Sequence, residues 1–220
     1  MNKYLIIVAH PDDETLFFSG LLQSSPQYTY KVVCVTNGDA DGMGSLRAKQ
    51  FREACQKQGA LFEQWDFPDV YEKRLDQNLL QKKLKELSPC AKVYTHGIIG
   101  EYGHPHHQDV SYAVHQVFQE KTYSIAHNCY PNELITLTAS QYKLKQDILS
   151  TTYLSETIRF SHLIPASFME GYTKVGLQEV EAIYQFMIGK SPLDESKLSH
   201  YAWIKEHLNE VFKEGFERIF

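Results

Sequence analysis

The sequence predicts an α/β fold: a Rossmann-like, mostly parallel sheet with helices on both faces, forming a single domain with a helical C-terminal extension. Three observations carry this expectation. Short β-favouring apolar runs recur, the segments between them space their apolar residues helically, and the alternation persists through roughly the first two thirds of the chain.

Tyr4-Leu5-Ile6-Ile7-Val8-Ala9 is apolar on both faces, as a strand buried inside a sheet must be. It stops at His10-Pro11-Asp12-Asp13-Glu14, after which Leu16, Phe17, Leu21 and Leu22 predict a helix over Glu14 to Leu22. Tyr30 to Thr36 is a second buried strand, ended by the turn Asn37-Gly38-Asp39. A Gly/Asp-rich loop through Gly44 leads to a helix predicted from Leu46 to Gln58, with Ser45 as N-cap and Gly59 as its stop. Leu61 to Trp65 reads as the third strand. Asp76 caps a helix carrying Leu80, Leu84 and Leu87, which Pro89 ends. The fourth strand, Lys92 to Thr95, runs into the loop His96 to Gly103, and a helix is expected from Gln108. Tyr123 to Ala126 is the fifth strand. From Ala139 onward Leu144, Ile148 and Leu149 suggest a helix, and the aromatic stretch after it has no clear period. Phe160, Phe168 and Tyr172 are expected to pack in the core. Two helices are expected to close the chain, the second over Tyr201 to Phe216, and Gly189-Lys190-Ser191-Pro192 to form an exposed turn.

The 220 residues are 43% hydrophobic and 22% charged, with a formal net charge of -5, so no basic field advertises nucleic acid or an anionic membrane. A small neutral or weakly charged substrate fits better. The first apolar run is too short for a signal peptide and no stretch suits a transmembrane helix, so a cytoplasmic location is expected. Cys34, Cys55, Cys90 and Cys129 lack Cys-x-x-Cys spacing and are expected as buried free thiols.

His10 and Asp13, three positions apart across a turn at a strand end, can face one metal ion. His107, after the fourth strand, can supply the third ligand, because the carboxyl ends of parallel strands open onto one crevice. A His/Asp/His set leaves a position for water, which zinc activates near neutral pH. Asp12 is then the natural general base, and His104 and Tyr102 are candidate donors to a tetrahedral oxyanion. His106 is expected to be a solvated loop residue. His96, His115, His127, His162, His200 and His207 are expected at the surface or as satisfied core residues, His96 being the best exception because it ends a strand.

Ala9-His10-Pro11-Asp12-Asp13-Glu14, together with Gly100-Glu101-Tyr102-Gly103-His104-Pro105-His106-His107, resembles the PIG-L/LmbE family of metal-dependent sugar de-N-acetylases. Asn37-Gly38, Leu46-Arg47, Phe67-Pro68-Asp69 and the stretch Lys143 to Glu156 extend the resemblance over residues 1–160, leaving 161–220 as the helical extension. The resemblance implies a zinc-dependent hydrolase that removes an acetyl group from an N-acetylglucosamine-type sugar or glycoconjugate, other divalent transition metals also fitting. It implies ligation by His10, Asp13 and His107, with Asp12 as base. His104 would stabilise charge or protonate the leaving amine, with Tyr102 near the reacting carbonyl and Arg47 and Asp69 at the substrate. Three departures stand out: His106 replaces a usual aspartate, Gln50 a usual glutamate, and Ser155-Glu156 a frequent Ser-Gln. The first leaves open which group orients His104. A non-catalytic carbohydrate-binding or metal-stabilised scaffold is the competing expectation, as is an amidase acting on a non-sugar amide; Asp12 argues against the scaffold, which has no use for an unligated carboxylate beside the metal.

Overall fold

The structure, a computed structural model, describes residues 3–24, 28–160 and 167–204. Five parallel strands form its centre: β1 (Lys3–Val8), β2 (Thr29–Thr36), β3 (Leu61–Phe67), β4 (Lys92–Thr95) and β5 (Thr122–Ile125). β6 (Glu133–Thr136) and β7 (Met169–Thr173) complete a sheet of order β3-β2-β1-β4-β5-β7-β6, with β7 antiparallel to both of its neighbours.

Alternation along β1 builds two cores. Tyr4, Ile6 and Val8 face Phe18, Leu21 and Leu22 of α1 (Asp13–Leu22) and Phe51 and Cys55 of α2 (Gly44–Lys57). Leu5, Ile7 and Ala9 face the other way, onto Leu80 and Leu84 of α3 (Gln77–Lys85) and Val110, Ala113 and Val114 of α4 (Pro105–Phe118). Both faces are therefore covered, which is why these strands read as continuous apolar runs. Beyond them lie α5 (Ala139–Asp147), α6 (Leu154–Phe160) and α7 (Leu177–Met187), with a π-helical turn, Ile148–Thr152, joining α5 to α6.

Several expectations change. The second helix starts at Gly44 rather than Leu46, and Met43, not Ser45, holds the N-cap position; the Gly44 N–H is satisfied instead by Asp39 Oδ1 at 2.8 Å. α4 starts at Pro105, because His104 caps it and proline suits the first helical position. The region expected to be a helical extension contributes β7 to the sheet. Phe168 is 54% exposed rather than core, whereas Tyr172 is buried. Cys34, Cys55 and Cys90 are buried free thiols and Cys129 is half-buried. The helix expected over Tyr201 to Phe216 lies mostly outside the described residues, as do His162, His207 and the side chain of Phe160. Among the described residues no helix is long and apolar enough to cross a membrane.

The loop from β4 to α4 depends on one glycine. Gly100 has φ +81°, and a Cβ there would lie 2.6 Å from the His104 carbonyl oxygen. Its own carbonyl accepts the N–H groups of Gly103 and His104, folding the loop back on itself. Gly100→Ala is expected to cost about 1–3 kcal/mol of stability. A lower urea midpoint would show this, and a midpoint equal to wild type would contradict it.

Candidate metal and active site

The chain leaves β1 toward β2 on one side and reaches β4 on the other, so the carboxyl ends of β1 and β4 meet where the strand order reverses. His10 follows β1, His96 follows β4, the head of α4 brings His104, His106 and His107, and the segment after β3 brings Asp69. His10 Nδ1 lies 3.2 Å from His107 Nε2 and 3.5 Å from Asp13 Oδ2, and His107 Nε2 lies 3.5 Å from Asp13 Oδ1. Ligands at about 2.0–2.1 Å around a tetrahedral ion are spaced by about 3.3 Å; His10 and His107 approach different Asp13 oxygens, so a zinc-like ion is accommodated once that carboxylate turns one oxygen toward both imidazoles.

Hydrogen-bond bookkeeping assigns the nitrogen each imidazole can offer. His107 Nδ1 is 2.5 Å from Glu101 Oε2, so Nδ1 carries the proton and Nε2 keeps its lone pair toward Asp13. His96 Nε2 accepts the Ala9 N–H at 3.0 Å while its Nδ1 faces Glu101 at 3.0 Å. His96 therefore has no lone pair left for an ion, although it sits 3.3 Å from Asp13. His104 Nδ1 accepts the His106 N–H at 3.2 Å, which leaves its Nε2 as a donor rather than a ligand. Burial and the neighbouring His10 and His107 hold the His104 imidazole far below its ordinary range, so it is neutral near pH 7. That burial, with His96 alongside, also brings His107 down to about 4. His10 goes the other way. Burial would lower it, but Asp13 on one side and Asp69 on the other push it up to about 10, so in the metal-free chain a proton stands where an ion would.

Asp12 has φ +113°, a rare backbone conformation for a residue with a side chain. It occupies the N-cap position of α1, yet its side chain makes no capping bond. Its N–H is taken by Glu14 Oε2 at 3.1 Å, and its carbonyl accepts from Thr15 and Leu16. The Asp12 carboxylate is thus not used by the helix. Burial, with Asp13 and Glu14 beside it, pushes its carboxyl well above the usual range, a cost that a cation in the site offsets. Glu14 is itself buried and pushed up to about 7 by that burial; Thr15 and Tyr153 hydroxyls donate to it at 2.6 and 2.9 Å.

The other expected residues divide. Tyr102 is 68% exposed at the mouth, its ring 5.3 Å from His107 and 5.9 Å from His104. Arg47 is buried and engaged: it donates to both Asp41 carboxylate oxygens, to Gly38 O at 2.6 Å and to Glu156 Oε2 at 3.0 Å. Asp69 lies 3.5 Å from His10 Nε2 and 3.4 Å from His106 Nδ1. His106, expected in a solvated loop, is fully buried, its Nε2 held by the carbonyls of Val70 and Lys73. Gln50 donates to Ser155 Oγ. Sequence reasoning missed Glu101, Glu14 and the engagement of His96; the two glutamates stand inside the quoted motifs, but nothing in a linear pattern aims them.

A family model described as "PIG-L: GlcNAc-PI de-N-acetylase" matches residues 5–118. A probable N-acetylglucosaminyl-phosphatidylinositol de-N-acetylase of Dictyostelium discoideum is 28% identical over 135 residues, which cover 55% of this chain and 51% of that protein. The chain spans about half to three fifths of the length of the curated relatives it matches most fully. Among solved structures, the zinc-inhibited form of the teicoplanin deacetylase Orf2 aligns with a TM-score of 0.61 at 13% identity, covering 72% of this chain and 86% of that one. GalB, the 4-carboxy-2-hydroxymuconate hydratase of Pseudomonas putida, aligns with a TM-score of 0.50 at 15% identity, covering 79% and 95%. At such identities the likeness is one of fold, and one fold hosts more than one reaction.

Glu101 yields a pH-dependence. Burial would raise its carboxyl, but His96 and the hydrogen bond from His107 outweigh that and bring it down to about 2. A carboxyl depressed on folding contributes stability above its unfolded pKa of about 4.3 and loses it as pH falls through the folded value. Denaturation measured between about pH 5 and pH 2 is expected to show wild type losing this contribution, on the order of 3 kcal/mol, while Glu101→Gln starts less stable and changes less. Parallel curves for the two proteins would remove Glu101 from this role.

Proposed function

The chain belongs to the PIG-L family, and on that premise we propose that it is a metal-dependent hydrolase removing the acetyl group from an N-acetylglucosamine-type sugar or sugar conjugate. The observation that carries the reading is the Asp12 carboxylate, held beside the His10/Asp13/His107 set in a strained backbone and left unused by its own helix. Strain of this kind costs about 1–3 kcal/mol and concentrates at functional sites. A metal-stabilised scaffold has no reason to keep it.

His10 through Nδ1, Asp13, and His107 through Nε2 would hold the ion, and we take zinc as the ion this donor set suits; iron, manganese or nickel also fit it. The ion would supply Lewis acidity toward the acetamide carbonyl and a nucleophilic water near neutral pH. Asp12 accepts the proton of the attacking water, assistance typically worth ~10²–10⁴-fold. His104 donates through Nε2–H to the oxyanion. Being neutral, it has no second proton to give, so the proton that reaches the leaving amine comes from Asp12. The second proton of the water stays on the carboxyl group as the bond breaks, so acetic acid and the free amine form, and at neutral pH they leave as acetate and the ammonium form of the amine.

Carboxylates orient both imidazole ligands: Glu101 fixes His107, and Asp69 fixes His10 by facing its Nε2, a positioning role in place of the substrate contact first expected. Tyr102 closes over the acetyl group from the mouth. Arg47, braced between Asp41 and Glu156, forms the floor on the sugar side, and its charge is already neutralised there. An uncharged sugar ring suits that floor.

Asp12→Asn tests the reading. Acetate release from a panel of N-acetylated sugars and conjugates is expected to fall by ~10²–10⁴-fold with metal content unchanged. The metal-free variant is also expected to melt higher than wild type at neutral pH, because a carboxyl disfavoured in its charged form by burial and by Asp13 and Glu14 is gone. Turnover equal to wild type would remove Asp12 as the base.

A further inference from the structure

His10 presents the same surroundings at both ring nitrogens. Nδ1 meets an imidazole lone pair, His107 Nε2 at 3.2 Å, and a carboxylate, Asp13 at 3.5 Å. Nε2 meets His106 Nδ1 at 3.2 Å and Asp69 Oδ1 at 3.5 Å. The third edge of this second triangle, His106 Nδ1 to Asp69 Oδ1, is 3.4 Å. All three edges close on single donor atoms and match the spacing of about 3.3 Å around a tetrahedral zinc-like ion.

The protonation of His106 is fixed independently of any metal. Its Nε2 lies 2.9 Å from the Lys73 carbonyl and 3.2 Å from the Val70 carbonyl, so Nε2 carries the hydrogen and Nδ1 presents a lone pair. That lone pair and the Asp69 carboxylate converge on one point with only the His10 Nε2 proton to share. His106 is fully buried, and Asp69 is 12% exposed, which leaves a solvent side for a fourth ligand. The other two histidine clusters fail this test, because His96 Nε2 accepts from Ala9 and His104 Nδ1 accepts from His106.

We propose that His10 Nε2, His106 Nδ1 and Asp69 Oδ1 form a second position for a divalent transition-metal ion, bridged to the first through the His10 ring. This rests on the first position assigned above. Two imidazole nitrogens and one carboxylate select zinc, copper, cobalt or nickel over magnesium or calcium. Uptake of the second ion displaces the His10 Nε2 proton to solvent, leaving an imidazolate that binds one ion through each nitrogen; no electrons move.

The test is metal uptake by the full chain, stripped and titrated with copper(II), read by metal analysis and electron paramagnetic resonance. Wild type is expected to take two equivalents and to show a spin-coupled copper pair. His106→Gln, whose amide can still donate to the Val70 and Lys73 carbonyls, is expected to take one uncoupled equivalent. Anomalous scattering from zinc-soaked wild-type crystals, which needs no variant, should place one peak on each side of the His10 ring. A single equivalent in wild type that supports acetate release, or a coupled pair that survives His106→Gln, overturns the second position alone. No uptake at all in wild type overturns both positions.

Discussion

Five imidazoles share one crevice, and the rest of the site depends on how few lone pairs they have between them. The rings of His96 and His107 stack at 3.9 Å, and His104 lies 4.5 Å from His10 and 4.8 Å from His107. At such separations positive charges repel one another in a buried space, and each ring nitrogen that accepts a hydrogen bond or faces a donor must keep its lone pair, so the hydrogen-bond partners decide where the protons sit. Backbone and carboxylate partners make the choice: Glu101 for His96 and His107, the Lys73 and Val70 carbonyls for His106, the His106 amide for His104. Two nitrogens with free lone pairs then point at His10 from opposite sides.

The fold contributes the place and the backbone strain. The reversal of strand order between β1 and β4 opens a crevice at their carboxyl ends, and the positive φ of Asp12 turns the chain there before α1 begins. Glu101, with φ +52°, does the same at the second loop. The π-helical turn between α5 and α6 brings that helical stretch back to the site, where Tyr153 donates to Glu14 and Glu156 meets Arg47. Segments far apart in sequence thus support the residues beside the candidate metal ligands.

The parallel half of the sheet was legible because its strands are buried on both faces and leave unbroken apolar runs. β6 and β7 were not: Glu133 to Thr136 is half exposed, the stretch up to Glu170 shows no clear period, and β7 pairs with the β5 edge while β6 pairs only with β7. Among site residues, those at strand and helix ends could be placed from sequence, since a parallel sheet gathers those ends. The direction of a ring or carboxylate could not. His106 looked solvated between a proline and another histidine, but the helix that starts at Pro105 turns it inward under the loop carrying Asp69 and Lys73.

The candidate site rests on these tautomers, and they can be read without substrate or metal. Long-range nitrogen–proton correlation NMR on the metal-free chain, with the five histidines assigned by single substitutions, reports which ring nitrogen of each carries hydrogen. Nδ1–H is expected for His96 and His107, Nε2–H for His104 and His106, and hydrogen on both nitrogens of His10 near neutral pH. A proton on His107 Nε2 or on His106 Nδ1 would contradict this assignment.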